Sequence, residues 1–255
     1  MLIAWDNLAD SAALSASSEQ ASAPGANVQI VHLSRKWVAV EGVNSASLVF
    51  DMGSSVACGI LAVLGANLTA TATLRLRASD ADSTGAAGDK YDSTLINAGA
   101  KAGYGAAYHW FAAATARYWR LDLADASVTT LEVGRIFLGP KWTPADNQSY
   151  GWQVTPLDES KVTESYGHQS FADERPQRRL LEFGLDWHTE AEMYGNAFAM
   201  ARSAGITKDV LAVHDTAGAG YLSEQSVFGL CTAAQPLINA NFGIYRQKFS
   251  IKERL

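Results

Sequence analysis

Three of the five histidines, His168, His188 and His214, fall in one stretch of the chain, with Asp186 and Asp215 close by in sequence. Imidazole and carboxylate are the materials of a metal centre or an acid–base pair. Their spacing matches no ligand pattern, and the chain has no His-Glu-x-x-His, no Gly-x-Ser-x-Gly elbow and no phosphate-binding loop. Gly218-Ala219-Gly220 lacks a third glycine and opens no helix, which argues against a dinucleotide. Glycoside hydrolysis needs only two facing carboxylates, and 26 acidic residues leave that pairing open. The histidines and aspartates read as polar groups at strand ends and in loops, and the expectation is a protein that is not an enzyme, with no metal ligands and no cofactor.

Residues that bind without catalysing are better represented. Seven tryptophans occur, at positions 5, 37, 110, 119, 142, 152 and 187. An aromatic at a loop tip stacks on a sugar face or anchors a protein contact, whereas one inside a strand is usually core. Trp119 and Trp187 lie in alternating segments and are expected in the core. Trp37 follows Arg35 and Lys36 at a loop–strand junction, where a working residue and a packed one fit equally well. Arg35, Trp37 and Tyr104 are the candidate ligand-binding residues.

The totals restrict the partners. A formal charge of −6, with the 20 basic residues scattered and Arg178-Arg179 the densest pair, gives no basic face for nucleic acid. No apolar run reaches the roughly 20 residues that span a bilayer. Cys58 and Cys231 are far apart in apolar runs and read as buried free thiols rather than a disulfide or zinc set. With no basic segment ahead of an apolar stretch at the start, the chain is expected to be made in a reducing cytosol.

The elements that would position these residues are mostly strands. Thr73–Ala78 alternates Leu with Thr or Arg, and Ile60–Leu64 is continuously apolar, as in a strand buried on both faces. Segments 117–123 and 131–138 resume the alternation, and such spacing without helices indicates a β-sandwich. Asp80 to Gly105 reads as a long loop, a type that is usually functional or mobile. Pro140 and Pro144 mark an exit from this first part. Later, 181–187 alternates as a strand and Thr189-Glu190-Ala191-Glu192 forms a capping box. Tyr194, Ala197, Phe198 and Ala201 then follow at helical spacing, with Gly205 as the stop. Strands at 209–213, 226–231 and 242–253 follow. The expectation is a mainly β protein with two domains: residues 1–140 as a β-sandwich, and 141–255 as a β-sheet domain flanked by one helix, 189–204.

The order of pieces from Asn7-Leu8-Ala9 through Leu48-Val49-Phe50-Asp51-Met52-Gly53 and Leu74-Arg75-Leu76-Arg77 to Arg117-Tyr118-Trp119-Arg120 resembles the discoidin, or galactose-binding-like, jelly roll over about residues 1 to 139. That family binds glycans, lipids or proteins through loops at one end of the sandwich. Some members hold a structural calcium, which no residue set here indicates. The Asp80–Gly105 insertion departs from compact members. The segment from the strand at Trp187 through the helix to Ile251-Lys252-Glu253 resembles the tail-tube and distal-tail proteins of long-tailed phages. That resemblance implies a homo-oligomeric ring at a tail tip or baseplate, contacts with tail tube and hub proteins, assembly in the host cytoplasm and residence in the virion. The alternative implied by the first part is a carbohydrate-binding adhesin recognising a host-surface glycan.

Overall fold

The computed structural model describes residues 1–101, 103–216, 220–233 and 236–255. Of the Gly218-Ala219-Gly220 motif, residues 218 and 219 lie outside the described residues. The chain is mainly β and divides into two units, Ala4–Trp142 and the pair of segments Met1–Ile3 and Thr143–Arg254. This differs from the expected boundary at 140/141. Strand β1 (Leu2–Ala4) joins the sheet of the later segment beside Asp209–Val213, so the sandwich is inserted into the other unit near its start.

The sandwich carries β2 (Ala13–Ala16), β3 (Trp37–Val38), β4 (Ser45–Leu64), β5 (Thr73–Ser79), β6 (Tyr91–Asp92), β7 (Ile96–Asn97), β8 (Ala107–Ala124), β9 (Glu132–Val133) and β10 (Arg135–Gly139). The main order is β10-β4-β8-β5-β6, all antiparallel, with β2 on β4, β7 on β5 and a separate β3–β9 pair. Strands β4 and β8 pair from Ser45↔Ala124 to Val63↔Ala107, with register shifts between Asp51 and Val56 and between Cys58 and Ile60. Bulges bend a strand, and the bend lets both halves of β4 line one core. Leu48 and Phe50 from the first half meet Cys58, Leu61 and Val63 from the second, with Trp119 and Leu121 of β8.

The expected alternation in β5 holds, with Leu74, Leu76 and Ala78 buried. Its outer face is a charged lattice in which Arg75 grips Asp92 at 2.9 and 2.6 Å and Arg77 reaches Asp122 at 2.7 Å. The stretch read as a loop from Asp80 contains β6 and β7. It is also pinned: Asp82 accepts the Thr84 and Ala87 amides, and Arg77 Nη1 donates to the Ala86 carbonyl.

The other unit contains β11 (Gln153–Leu157), β12 (Lys161–Glu164), β13 (Ser170–Asp173), β14 (Arg178–His188), β15 (Asp209–Val213), β16 (Val227–Cys231), β17 (Ile238–Asn241) and β18 (Ile244–Glu253). Its sheet runs β1-β15-β16-β18-β14-β11 with β17 on β18, while among the described residues β12 and β13 pair only with each other. Leu181, Phe183 and Leu185 of β14 point inward, as their alternation predicts.

Residues 190–204 are helical, with a π-helical turn at Met193–Phe198 between two α-helical segments. Thr189 caps it, its Oγ1 accepting the Glu192 amide at 3.3 Å, and Gly205 ends it at φ +54°. The Glu192 carboxylate takes the Ala145 amide at 2.8 Å and lies 3.1 Å from His188 Nδ1. The buried face is Met193, Ala197, Met200 and Ala204, whereas Tyr194 and Phe198 are exposed. These residues keep ordinary helical spacing, so the buried stripe is a regular one rotated from that of Tyr194, Ala197, Phe198 and Ala201. A second short helix, Leu222–Gln225, was not foreseen.

Trp119 is in the core as expected, but Trp187 is 71% exposed. A β-bulge between Leu185 and His188 breaks the alternation that would have turned Trp187 inward. Both cysteines are free, Cys58 buried and Cys231 half-buried.

Candidate binding surface

The Asp51–Val56 bend sits at one end of the sandwich, and the chain returns at the other end through Gly65 and Ala66. There, three glycines permit backbone contacts that a side chain would block. Gly65 has φ +62° and faces Leu33. Gly134 donates to the Leu64 carbonyl at 3.0 Å and lies against the Leu33 carbonyl. Gly105, at φ +57°, accepts from Ala66 N at 2.9 Å, and a Cβ there would stand 2.6 Å from Ala66 O. Glycine alone combines left-handed backbone with so close an approach. The loops through Leu33 and through Gly105 therefore converge on one corner.

Arg35 and Tyr104 ride on those loops. Arg35 is exposed in a turn closed by its own amide to the His32 carbonyl at 3.0 Å. Tyr104 is 36% exposed, and Lys101 Nζ lies 5.9 Å from its ring centroid. Trp37 is different. It is fully buried, and its indole N–H donates to the Ser18 carbonyl at 2.9 Å. Its pairing with Val133 across β3–β9 turns the ring into the core. Of the three candidates, Arg35 and Tyr104 reach solvent, while Trp37 is scaffold and no ligand can stack on it.

The surrounding polar groups hold this end in shape. Lys36 Nζ meets Glu132 at 2.8 Å. Asn67 Nδ2 donates to the Thr130 carbonyl at 2.7 Å, and its oxygen accepts the Glu132 amide at 3.0 Å. Asp125, 1% exposed, accepts from Thr69 N and Oγ1, Thr71 Oγ1 and Ser127 N, which binds the 69–71 and 125–127 loops together. Burial alone would raise its pKa, but these donors outweigh burial and hold it below the ordinary carboxylate value.

A contact between β6 and β8 escaped the sequence reading. Tyr91 Oη is 2.7 Å from His109 Nε2, and its ring stacks on Phe111 at 4.3 Å. Burial, and then the Lys141 charge, push His109 below its usual pKa. Tyr91 fell within the segment read as loop, so its place on an edge strand gave no signal.

The histidines considered for metal or acid–base work are not brought together. His168 lies by Glu164 on the surface at 3.1 Å, His188 by Glu192, and His214 beside Gln148 with its ring centroid 3.6 Å from that of Trp152. Among the described residues, no group of three His, Cys, Asp or Glu side chains is placed to hold a metal ion. The Cys58 thiol is pushed up to about 12 by burial, which makes it a poor nucleophile.

No protein-family model matches the chain, and no curated relative does. Solved structures similar to about half of it include carbohydrate-binding modules. A chitosan-binding module of a Paenibacillus chitosanase/glucanase is 18% identical over 52% of this chain and 98% of that one, with a TM-score of 0.40. A Streptococcus pneumoniae fucose-binding module is 12% identical over 53% and 95%, with a TM-score of 0.41. A Ruminococcus gnavus fucosidase is 13% identical over 54% of this chain and 27% of the enzyme, with a TM-score of 0.45. Likenesses this weak carry no information about a shared ligand.

Proposed function

We propose that the chain is a non-enzymatic binding protein whose sandwich contacts glycans through the end that carries Arg35 and Tyr104. The observation supporting this is the convergence of their two loops on Gly65–Ala66. A cation and an aromatic ring there stand exposed over a corner fixed by close backbone contacts and by the Lys36, Asn67 and Asp125 bonds. A pre-organised aromatic with a neighbouring donor suits a sugar, which offers an apolar ring face edged by hydroxyls. A glycan array with the purified chain tests this: reproducible binding that Tyr104→Ala and Arg35→Ala each reduce supports it. Silence across neutral and charged glycans, or binding indifferent to both changes, removes it.

A second reading, a structural part of a phage tail tip assembled in the host cytoplasm, draws on the other unit. Among the described residues the β12–β13 hairpin belongs to no larger sheet, and it exposes Val162 at 69% and Phe171 at 59%. A two-stranded hairpin alone is marginal in water, and exposed apolar residues on it favour a partner, here further copies in a ring or the tail tube and hub. Light scattering at high concentration and imaging of particles test this reading, and a strictly monomeric chain absent from virions would sink it.

A further inference from the structure

Trp187 is the least expected residue of the sheet that contains it. It stands at φ +71° and is 71% exposed. A bulky L residue is strained in this conformation and stays there only where its surroundings impose it. Here they do so from both sides. Asp186 accepts the Ser149 hydroxyl at 2.5 Å, and Ser149 N donates to the Gly184 carbonyl at 2.9 Å. On the other side, His188 is fixed against Glu192.

The register defines what lies opposite. Leu185 pairs with Gln247 and His188 with Tyr245, so Asp186 and Trp187 together face Arg246. Leu185 and Gln247 are buried, while Arg246 and Lys248 are exposed on the face turned away from the core. Gly184, opposite Lys248, leaves that cation without a side-chain neighbour across the ladder, and Ile238 flanks Arg246 from β17. Among the described residues neither Arg246 nor Lys248 has an ion-pair partner. Asp186 accepts the Ser149 hydroxyl and Glu182 the Gln153 amide at 2.5 Å, and among the described residues neither carboxylate forms an ion pair with the two cations. The face presents an indole plane, a guanidinium and an ammonium beside two hydrogen-bonded carboxylates: an apolar platform edged by donors.

We propose that Trp187, Arg246 and Lys248 form a binding site for a uronate-bearing polysaccharide. The indole covers the apolar face of one sugar ring, and the two cations take the carboxylates of that ring and its neighbour. The site lies wholly within the unit formed by Met1–Ile3 and Thr143–Arg254, and stands or falls separately from the Arg35 and Tyr104 surface.

The full chain is titrated with polygalacturonate, and with neutral galactan as control, by calorimetry and tryptophan fluorescence. The expected result is binding of polygalacturonate only, weakened roughly tenfold when salt shortens the range of the charges. Trp187→Gly deletes the platform in a backbone conformation that glycine prefers, so the variant stays folded with an unchanged or higher melting temperature. It and Arg246→Gln/Lys248→Gln each lower affinity at least roughly tenfold, as loss of a central aromatic or charged anchor does. Arg35→Ala/Tyr104→Ala leaves polygalacturonate binding unchanged, which separates this site from the sandwich surface. Absence of binding, equal binding of galactan, or affinity indifferent to the Trp187 and Arg246/Lys248 changes overturns the proposal. It equally fails if Trp187→Gly abolishes only self-association, since the face is then a protein contact.

Discussion

Trp187 is exposed where its sequence setting suggests core, and Trp37, whose setting fits a working or a packed residue equally, is packed; each outcome has a local cause. Trp37 sits in a strand of two residues, too short for alternation to register, beside two cations that mark a surface. The ring nevertheless fills the sandwich core and satisfies its N–H on Ser18. Trp37→Ala is therefore expected to cost about 3–5 kcal/mol in urea unfolding, the usual result of emptying a large aromatic site. Tyr104→Ala, at the surface, is expected to change stability by less than about 0.5 kcal/mol. Equal effects of the two changes on the unfolding midpoint would contradict this assignment. Trp187 has the opposite history: the alternation is real up to Leu185, and a bulge, which leaves no mark in composition, turns the next residues outward.

At the scale of elements, side-chain period was readable and its interruptions were not. Leu74 and Leu76, and Leu181, Phe183 and Leu185, face inward as their spacing of two predicts. The capped helix lies where Thr189 and Gly205 place its ends, but its buried stripe is Met193, Ala197, Met200 and Ala204, at regular helical spacing on a face rotated from the expected one. Thr189→Ala removes the acceptor for the Glu192 amide and is expected to cost about 1 kcal/mol. Thr189→Ser should recover most of that loss in thermal unfolding, which a mere volume effect would not predict. Of the candidate surface, Arg35 and Tyr104 were legible as exposed polar and aromatic residues. Their meeting at Gly65–Ala66 was not, because it rests on backbone approaches between segments remote in sequence.

For the molecule as a whole, acid should act through histidine first. His214 and His109 are both held below their usual pKa, in each case chiefly by burial. For His214, Gln225 and Asp215 oppose this shift and the amino terminus adds to it. A depressed folded pKa favours the neutral ring, so this stabilisation is complete above the unfolded value of about 6.5 and is lost as the pH falls below it. Asp51 and Asp92, each held at about 2 chiefly by hydrogen bonds from Arg117 and Arg75, remain charged through that range. Melting temperature is accordingly expected to drop as the pH falls below about 6.5, and His214→Gln should flatten that drop. A profile level until below pH 4 would assign acid sensitivity to carboxylates instead. Removing residues 1–3 takes β1 from its sheet; amide exchange should quicken in Asp209–Val213 and stay unchanged in Leu48–Phe50 of the sandwich.

The insertion of the sandwich has a mechanical and evolutionary corollary. Trp5 and Trp142, next to its entry and exit, touch edge to face with centroids 6.5 Å apart, and Leu138 N donates to Asn7 at 2.9 Å. A body whose two ends meet can be spliced into a host turn without stretching either chain. It is also moored by two cables: one protease cut between residues 3 and 5 leaves it attached through the other crossing. Such a body can be removed or replaced at its paired ends while the framework that carries it stays the same.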